Sequence, residues 1–267
     1  MQRTDTVFAG SIPALYDRYL APVFFEPYAR DLASRVRALE VRHLLEIAAG
    51  TGVVTRELVR ALPDNVQIVA TDLNEAMIAH AAARLETPNV AWSTADATAL
   101  PFPDRLFDVV VCQFGVMFFD RARGFGEVRR VLVPDGTFVF NVWDRIAHND
   151  LTCIVSDAVA SAFPDDPPRF FERTPHGHYD TAAIERDLHA AGFDEVTVEA
   201  IDARSRAPSA SDVAIGLCQG TPLRNEIVAR DPGALPAATE RATRALIDAR
   251  GEGGIDGGMR AFVITAR

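Results

Sequence analysis

From about residue 40 to residue 143 the chain alternates between short apolar runs and longer mixed ones. The short runs, rich in Val, Ile, Leu and Phe, lie at 43–48, 67–72, 90–94, 107–112 and 137–143. Runs of this length and composition predict strands buried on both faces. The intervening segments 53–62, 74–86 and 121–132 predict helices; the first follows Gly50-Thr51-Gly52, and Asn74 is the expected N-cap of the second. Pro134-Asp135-Gly136 predicts a turn between the third helix and the fifth strand. Strands separated by helices require crossover connections, so a doubly wound α/β architecture with a parallel sheet is expected.

The flanks are less regular. Pro13 to Leu20 and Pro27 to Leu39 predict two helices carrying Tyr16, Tyr19, Phe24, Phe25 and Tyr28. These aromatics either pack on the sheet or line the mouth of a pocket. Beyond residue 143 the expected elements are a helix at 149–163, a Pro-rich loop at 164–179 and a helix at 180–191 ending at Gly192. Strands follow at 195–203 and 260–266, with helices near 209–219 and 234–250 and a flexible Gly251–Gly258 connection. The chain therefore reads as a single domain over 1–267, with an N-terminal helical cover at 1–40 and a helical insertion at 204–258 before the last strand.

Composition narrows the function. A net charge of −10 argues against a nucleic-acid substrate or an anionic membrane surface, both of which need a basic face. Cys112, Cys153 and Cys218 are far apart and form no CxxC pair, so neither a metal site nor a disulfide framework is expected. The N-terminal segment has Arg3 and Asp5 but no apolar core of a signal peptide, and the longest near-apolar run, Val109 to Phe119, is too short to span a bilayer. A soluble cytoplasmic protein is expected, with its oligomeric state left open, a homodimer included.

The candidate chemistry sits at the ends of the predicted strands. Ala48-Ala49-Gly50-Thr51-Gly52 is a small-residue turn leading into a helix N-terminus, where unpaired N–H groups suit a carboxylate or phosphate. A dinucleotide fingerprint counted from Gly50 would need its third glycine at Thr55, and the turn lacks a P-loop lysine. Asp72 ends the second strand and offers two oxygens to the two donors of a ribose diol; it also suits the start of the next helix. Asp96 follows the third strand, where an acid can accept the exocyclic amine of an adenine.

In order, Leu44-Leu-Glu46-Ile-Ala-Ala-Gly50-Thr-Gly52, Ala70-Thr-Asp72-Leu-Asn-Glu-Ala-Met77, Ala95-Asp96-Ala-Thr-Ala-Leu-Pro-Phe-Pro-Asp104 and Phe107-Asp-Val-Val-Val-Cys-Gln113-Phe114 resemble the motifs of class I S-adenosylmethionine-dependent methyltransferases. The likeness is greatest to the small-molecule branch that includes the ubiquinone and menaquinone C-methyltransferases. Arg130-Val-Leu-Val-Pro134-Asp-Gly136 and Ala191-Gly192-Phe193 resemble later family segments. The resemblance implies a Rossmann-like, mostly parallel seven-stranded sheet with an antiparallel last strand, which Arg260–Ala266 fits, plus helical lid elements. It implies S-adenosyl-L-methionine as cofactor. Glu46 would hold the methionine ammonium, and Ala48, Gly50, Thr51 and Gly52 would surround the amino acid part. Asp72 would bind the ribose, with Leu73 against the adenine and Met77 in the cofactor-binding set. Asp96 and the Ala97 N–H would bind the adenine edge, and Gln113 and Phe114 would approach the sulfonium. Ala48-Ala49 in place of the usual Gly-Cys, and Asp135 in place of a glycine, depart from the pattern.

The reaction implied is methyl transfer to a small acceptor. Phe163, Phe170 and Phe171 suggest an apolar wall suited to a hydrophobic or aromatic molecule, or else simple lid packing. A base is needed only where the acceptor must lose a proton; His148, His176 and His178 are the candidates, and no metal is expected at His176-x-His178. The Asn/Asp-Pro-Pro-Tyr signature of amino-methylating nucleic-acid enzymes is missing. Two other readings stay open: a nicotinamide-dependent oxidoreductase, and a non-catalytic S-adenosylmethionine-binding protein.

Overall fold

The computed structural model describes residues 5, 6, 8 and 10–267; Arg3 lies outside them. In chain order the elements are α1 (Ile12–Leu15), a π-helical stretch (Tyr16–Phe25), α2 (Glu26–Arg37), β1 (His43–Glu46), α3 (Val53–Ala61), β2 (Gln67–Asp72), α4 (Glu75–Arg84), β3 (Val90–Thr94) and β4 (Phe107–Gln113). There follow α5 (Arg121–Val131), β5 (Leu132–Trp143), α6 (Asp150–Ala160), α7 (Phe170–Arg173), α8 (Thr181–Ala190), β6 (Val196–Ala207), α9 (Ala210–Gln219), α10 (Leu223–Arg230), α11 (Leu235–Arg250) and β7 (Ile255–Ala266).

The strands form one sheet in the order β3-β2-β1-β4-β5-β7-β6. From β3 to β5 every neighbouring pair is parallel. β7 runs the other way. Against β5, Asp144 N–H donates to Arg260 O and the Arg267 guanidinium reaches the Thr137 hydroxyl. Against β6, Arg267 N–H donates to Glu195 O and the Ser205 hydroxyl to Gly257 O. The mostly parallel sheet with an antiparallel last strand is as expected.

The chain divides into two compact units. One comprises Pro27–Val142, Tyr179–Ile201 and Ala261–Arg267. Its sheet is covered on both faces, as buried parallel strands require. On one face Phe138 and Phe140 stack with centroids 4.5 Å apart, and Phe125 of α5 and Phe193 pack against them. The other face receives Tyr28 of α2 and Thr55 of α3, both fully buried. Burying each such phenylalanine contributes roughly 2–3 kcal/mol.

The second unit comprises Met1–Glu26, Trp143–His178 and Asp202–Arg260. Here α11 packs on α6 and α9, and α9 packs on the π-helical stretch. A Cβ at Gly216 would stand 2.7 Å from Leu20 Cδ2, so only glycine lets α9 approach this closely.

Several boundaries differ from expectation, each for a visible reason. Pro134-Asp135-Gly136 does not end before β5 but lies inside it: Phe107 pairs with Leu132 and Val109 with Thr137, so the turn bulges out and the ladder resumes. The two predicted N-terminal helices are one contiguous run. Pro22 has no N–H to give, and the helix widens around it, with Glu26 N–H donating to Ala21 O five residues back. α10 was not expected because a charged residue occupies its inward face. Glu226 is 5% exposed, with Arg173 Nη2 at 2.5 Å and the Arg169 N–H at 2.9 Å. α7 falls in the predicted Pro-rich loop, where Phe170 and Phe171 are buried against each other as packing rather than as an exposed wall. β6 and β7 are longer than expected, and β7 takes up the end of the predicted Gly-rich connection. Their extra residues carry the cross-strand pair Arg204–Asp256 at 2.6 Å, which adjoins Arg260–Asp202, also at 2.6 Å, within the predicted lengths.

Candidate functional site

The parallel register fixes which side chains share a face. Glu46 is level with Ala70 on one side and Val111 on the other; Asp72 is level with Thr94, and Gln113 with Asn141. Side chains alternate along each strand, so Thr94, Asp72, Glu46, Gln113 and Asn141 all project to one face. They form a polar row at the carboxyl ends of five adjacent strands, β3-β2-β1-β4-β5. In a sheet with buried faces, a row of this kind marks where a ligand is bound.

Glu46 is deeply placed. It is 1% exposed and accepts the Thr55 hydroxyl at 2.6 Å, while Thr71 Oγ1 donates to its backbone carbonyl at 3.0 Å. Burial pushes its carboxyl up to about 8, against the pull of Thr55 and of Arg56. Thr55 occupies the position where a dinucleotide fingerprint has glycine, and its bond to Glu46 explains why glycine is not used.

The turn after β1 is held in an unusual shape. Ala48, Gly50 and Gly52 all have positive φ, at 54°, 56° and 76°. Gly52 is enclosed, since an added Cβ would meet Trp92 Cη2 at 2.8 Å, whereas a Cβ on Gly50 would enter open space. The Thr51 hydroxyl is buried and makes no hydrogen bond among the described residues. Asp72 braces this turn. One oxygen accepts Gly50 N–H at 2.9 Å; the other accepts the Asn74 N–H at 2.8 Å and its side-chain amide at 3.2 Å. Asn74 holds the cap position of α4, but its side chain serves Asp72 rather than the helix. Burial raises the Asp72 carboxyl, opposed by these N–H groups. Leu73 is 55% exposed, a bare apolar surface beside Asp72, while Met77 is buried.

Beyond β3, Asp96 Oδ1 takes the N–H and the hydroxyl of Thr98, both at 2.8 Å. Its Oδ2 accepts nothing among the described residues, nor does the adjacent Ala97 N–H donate. An acceptor and a donor are thus left side by side. After β4, Phe114 is left-handed at φ 50°, and its N–H donates to Asn141 Oδ1 at 2.9 Å. Its ring meets Tyr28 edge-on at 5.5 Å. Gly115 then passes so near Ala48 that a Cβ would stand 2.5 Å from Ala48 Cβ, locking the turns after β1 and β4 together. Asn141 carried no sequence signal beyond being a polar residue in an apolar strand.

The three histidines belong to the other unit. His148 Nδ1 lies 2.5 Å from Asp144 Oδ2, and Asp144 is buried while the ring is 44% exposed. In this pairing the Nδ1–H donates to the carboxylate. His176 is buried, its Nδ1–H donates to Asp144 O at 2.8 Å, and it lies beside Trp143. His178 is partly exposed. Among the described residues, no three His, Cys, Asp or Glu side chains are grouped to hold a metal, and no helix is long and apolar enough to cross a membrane.

Burial lowers the His176 ring from 6.5 to about 4. The folded ring is therefore neutral where the unfolded one takes up a proton. Its contribution to stability is complete above about pH 6.5 and is lost as the pH falls toward 4. At pH 5 the expected loss is about 2 kcal/mol. Urea unfolding at pH 8 and pH 5 checks this; His176→Gln should show a smaller difference, and an equal one would remove His176 as the cause.

The comparisons with known proteins agree with this geometry. A family model described as "Methyltransferase domain" matches residues 44–136. The chain is 35% identical over 117 residues to the ubiquinone/menaquinone biosynthesis C-methyltransferase UbiE of Geobacter sulfurreducens, covering 42% of this chain and 46% of that protein. It is 30% identical over 164 residues to UbiE of Ralstonia pickettii, covering 57% of this chain and 68% of that protein. The matches thus span from about half to two thirds of these relatives' lengths. Among solved structures, the Haemonchus contortus phosphoethanolamine N-methyltransferase 2 bound to S-adenosyl-L-methionine superposes with a TM-score of 0.58 at 15% identity, covering 96% of this chain and 56% of that one. That likeness concerns the fold. With four ordered motifs at the ends of β1 to β4, the chain belongs to the class I S-adenosylmethionine-dependent methyltransferases.

Proposed function

We propose that this protein transfers the methyl group of S-adenosyl-L-methionine to a small, hydrophobic or aromatic acceptor. The polar row across five strand ends carries the reading, because its chemistry changes along its length as that of the cofactor does. Asp96 Oδ2 and the Ala97 N–H match an adenine edge; Leu73 offers the ring an apolar face. Asp72 has an acceptor site left for the ribose. The open side of Gly50, the unpartnered Thr51 hydroxyl and Glu46 suit the amino acid part, and Gln113 and Phe114 the sulfonium. The dinucleotide alternative has no support in the site: Thr55 is committed to Glu46.

The cofactor supplies a methyl group activated on a positive sulfur. The carbon–sulfur bond breaks with its electron pair staying on sulfur, and an electron pair of the acceptor forms the new bond. The protein aligns the two and excludes water. Where the acceptor atom carries hydrogen, a proton must also leave. A cytoplasmic setting and the absence of nucleic acid among the substrates belong to the same proposal, on the acidic charge.

Glu46 makes the reading testable through pH. Its raised carboxyl is mostly protonated at neutral pH, and pairing with an ammonium requires it to ionise. Cofactor binding should then release a proton and tighten about tenfold or more between pH 6 and 7.5. Calorimetry with S-adenosylhomocysteine in buffers of different ionisation enthalpy measures both effects; Glu46→Gln should abolish the proton release. A screen of phenolic, quinone-like and carboxylate acceptors with labelled cofactor tests the activity itself, and transfer to none would leave only a binding protein.

A further inference from the structure

Asn141 is a member of the polar row that neither the motifs nor the family resemblance assigns. It is fully buried. Its orientation is fixed by chemistry: the Phe114 N–H can only donate, so the oxygen of the carboxamide must face it, as observed at 2.9 Å. The amide nitrogen is then turned the other way and has no partner among the described residues. A buried amide N–H without a partner is costly, so a ligand oxygen is the expected occupant.

The strand order indicates which ligand. Resting on the methyl-transfer reading, the cofactor runs from adenine at β3 through ribose at β2 and the amino acid at β1 to the sulfonium at β4. β5 is the next strand outward. The group there lies beyond the sulfur, on the side from which the acceptor must approach. We propose that Asn141 is a positioning and acceptor-binding residue: its Oδ1 holds Phe114 in the left-handed turn, and its Nδ2 donates to an oxygen of the methyl acceptor beside the atom that is methylated.

The two halves of the amide separate in two variants. Asn141→Asp keeps an oxygen for Phe114 and loses the donor; Asn141→Leu loses both. Binding of S-adenosylhomocysteine is measured by calorimetry, and binding of 2-naphthol to the S-adenosylhomocysteine complex by fluorescence, both at pH 9. The aspartate variant should hold S-adenosylhomocysteine within threefold of the parent while 2-naphthol weakens at least tenfold. The leucine variant should lose at least tenfold for both. Unchanged 2-naphthol binding in the aspartate variant, no 2-naphthol binding by the parent complex, or equal losses of both ligands in the aspartate variant would overturn the proposal. Failure of the parent to bind S-adenosylhomocysteine would instead overturn the methyl-transfer reading beneath it.

Discussion

Gly52→Ala is expected to destabilise the protein by about 2–5 kcal/mol. Two costs combine. The residue has φ 76° and ψ 29°, a left-handed conformation in which alanine loses about 1–2 kcal/mol relative to glycine. The new methyl would also stand 2.8 Å from Trp92 Cη2 and 3.2 Å from Ala81 Cβ, and overpacking of this kind costs about 1–3 kcal/mol. Trp92 is a strand residue and Ala81 is on α4, so neither yields without moving the layer behind the turn. Gly50→Ala is the matched control. It has φ 56° but nothing within 4 Å of the added atom, so its stability loss should be confined to the left-handed cost. Its methyl enters the space assigned to the cofactor, however, and S-adenosylhomocysteine affinity should fall. Urea midpoints and calorimetry on both variants check this. Equal unfolding midpoints would show that the enclosure of Gly52 does not matter.

Replacing Asp72 should have a comparable effect, directed at the cofactor. Asp72→Ala is expected to weaken S-adenosylhomocysteine binding by about 2–4 kcal/mol. The structure changes the reason. The carboxylate is not a free pair of oxygens awaiting a diol, because three of its roughly four acceptor sites already take Gly50 and Asn74. Part of the loss therefore comes from a turn that is no longer braced, and Asp72→Ala should also lower the unfolding midpoint. Asp72→Asn separates the two. Its oxygen can still accept Asn74 N–H, but an amide nitrogen then faces Gly50 N–H. It should bind S-adenosylhomocysteine weakly while remaining more stable than Asp72→Ala. An unchanged dissociation constant in both variants would take Asp72 out of the site.

Most of the sheet from β1 to β5 was legible because β1, β2, β4 and β5 are largely buried, and continuous apolar runs have few other readings; β3, at the sheet edge, is not buried. Glu46 and Asp72 were legible as candidates because acids at the ends of buried strands are costly unless partnered; Asp96, exposed after β3, was legible only through its motif. What the chain concealed depended on partners distant in sequence. Glu226 reads as an exposed charge until Arg173 is beside it. The Pro134-Asp135-Gly136 turn reads as a boundary because nothing local reveals that the ladder closes again behind it. Asn141 reads as an interruption in an apolar strand; its meaning depends on Phe114, 27 positions away. The left-handed conformations of Ala48 and Phe114 were equally hidden, since neither residue type favours them.

Parallel strands are spaced about 4.8 Å apart, so the three steps from β3 to β4 make the cofactor's part of the polar row a ruler about 14 Å long. A ligand must be extended to be measured by it. Adenosine or methionine alone reaches only part of the scale and forgoes the gain from being tied together, which effective concentration sets. Each fragment should therefore bind far more weakly than S-adenosylhomocysteine. The sheet thus selects for length as well as for chemistry, and it does so with the spacing of backbone hydrogen bonds, a quantity that no side-chain substitution can alter.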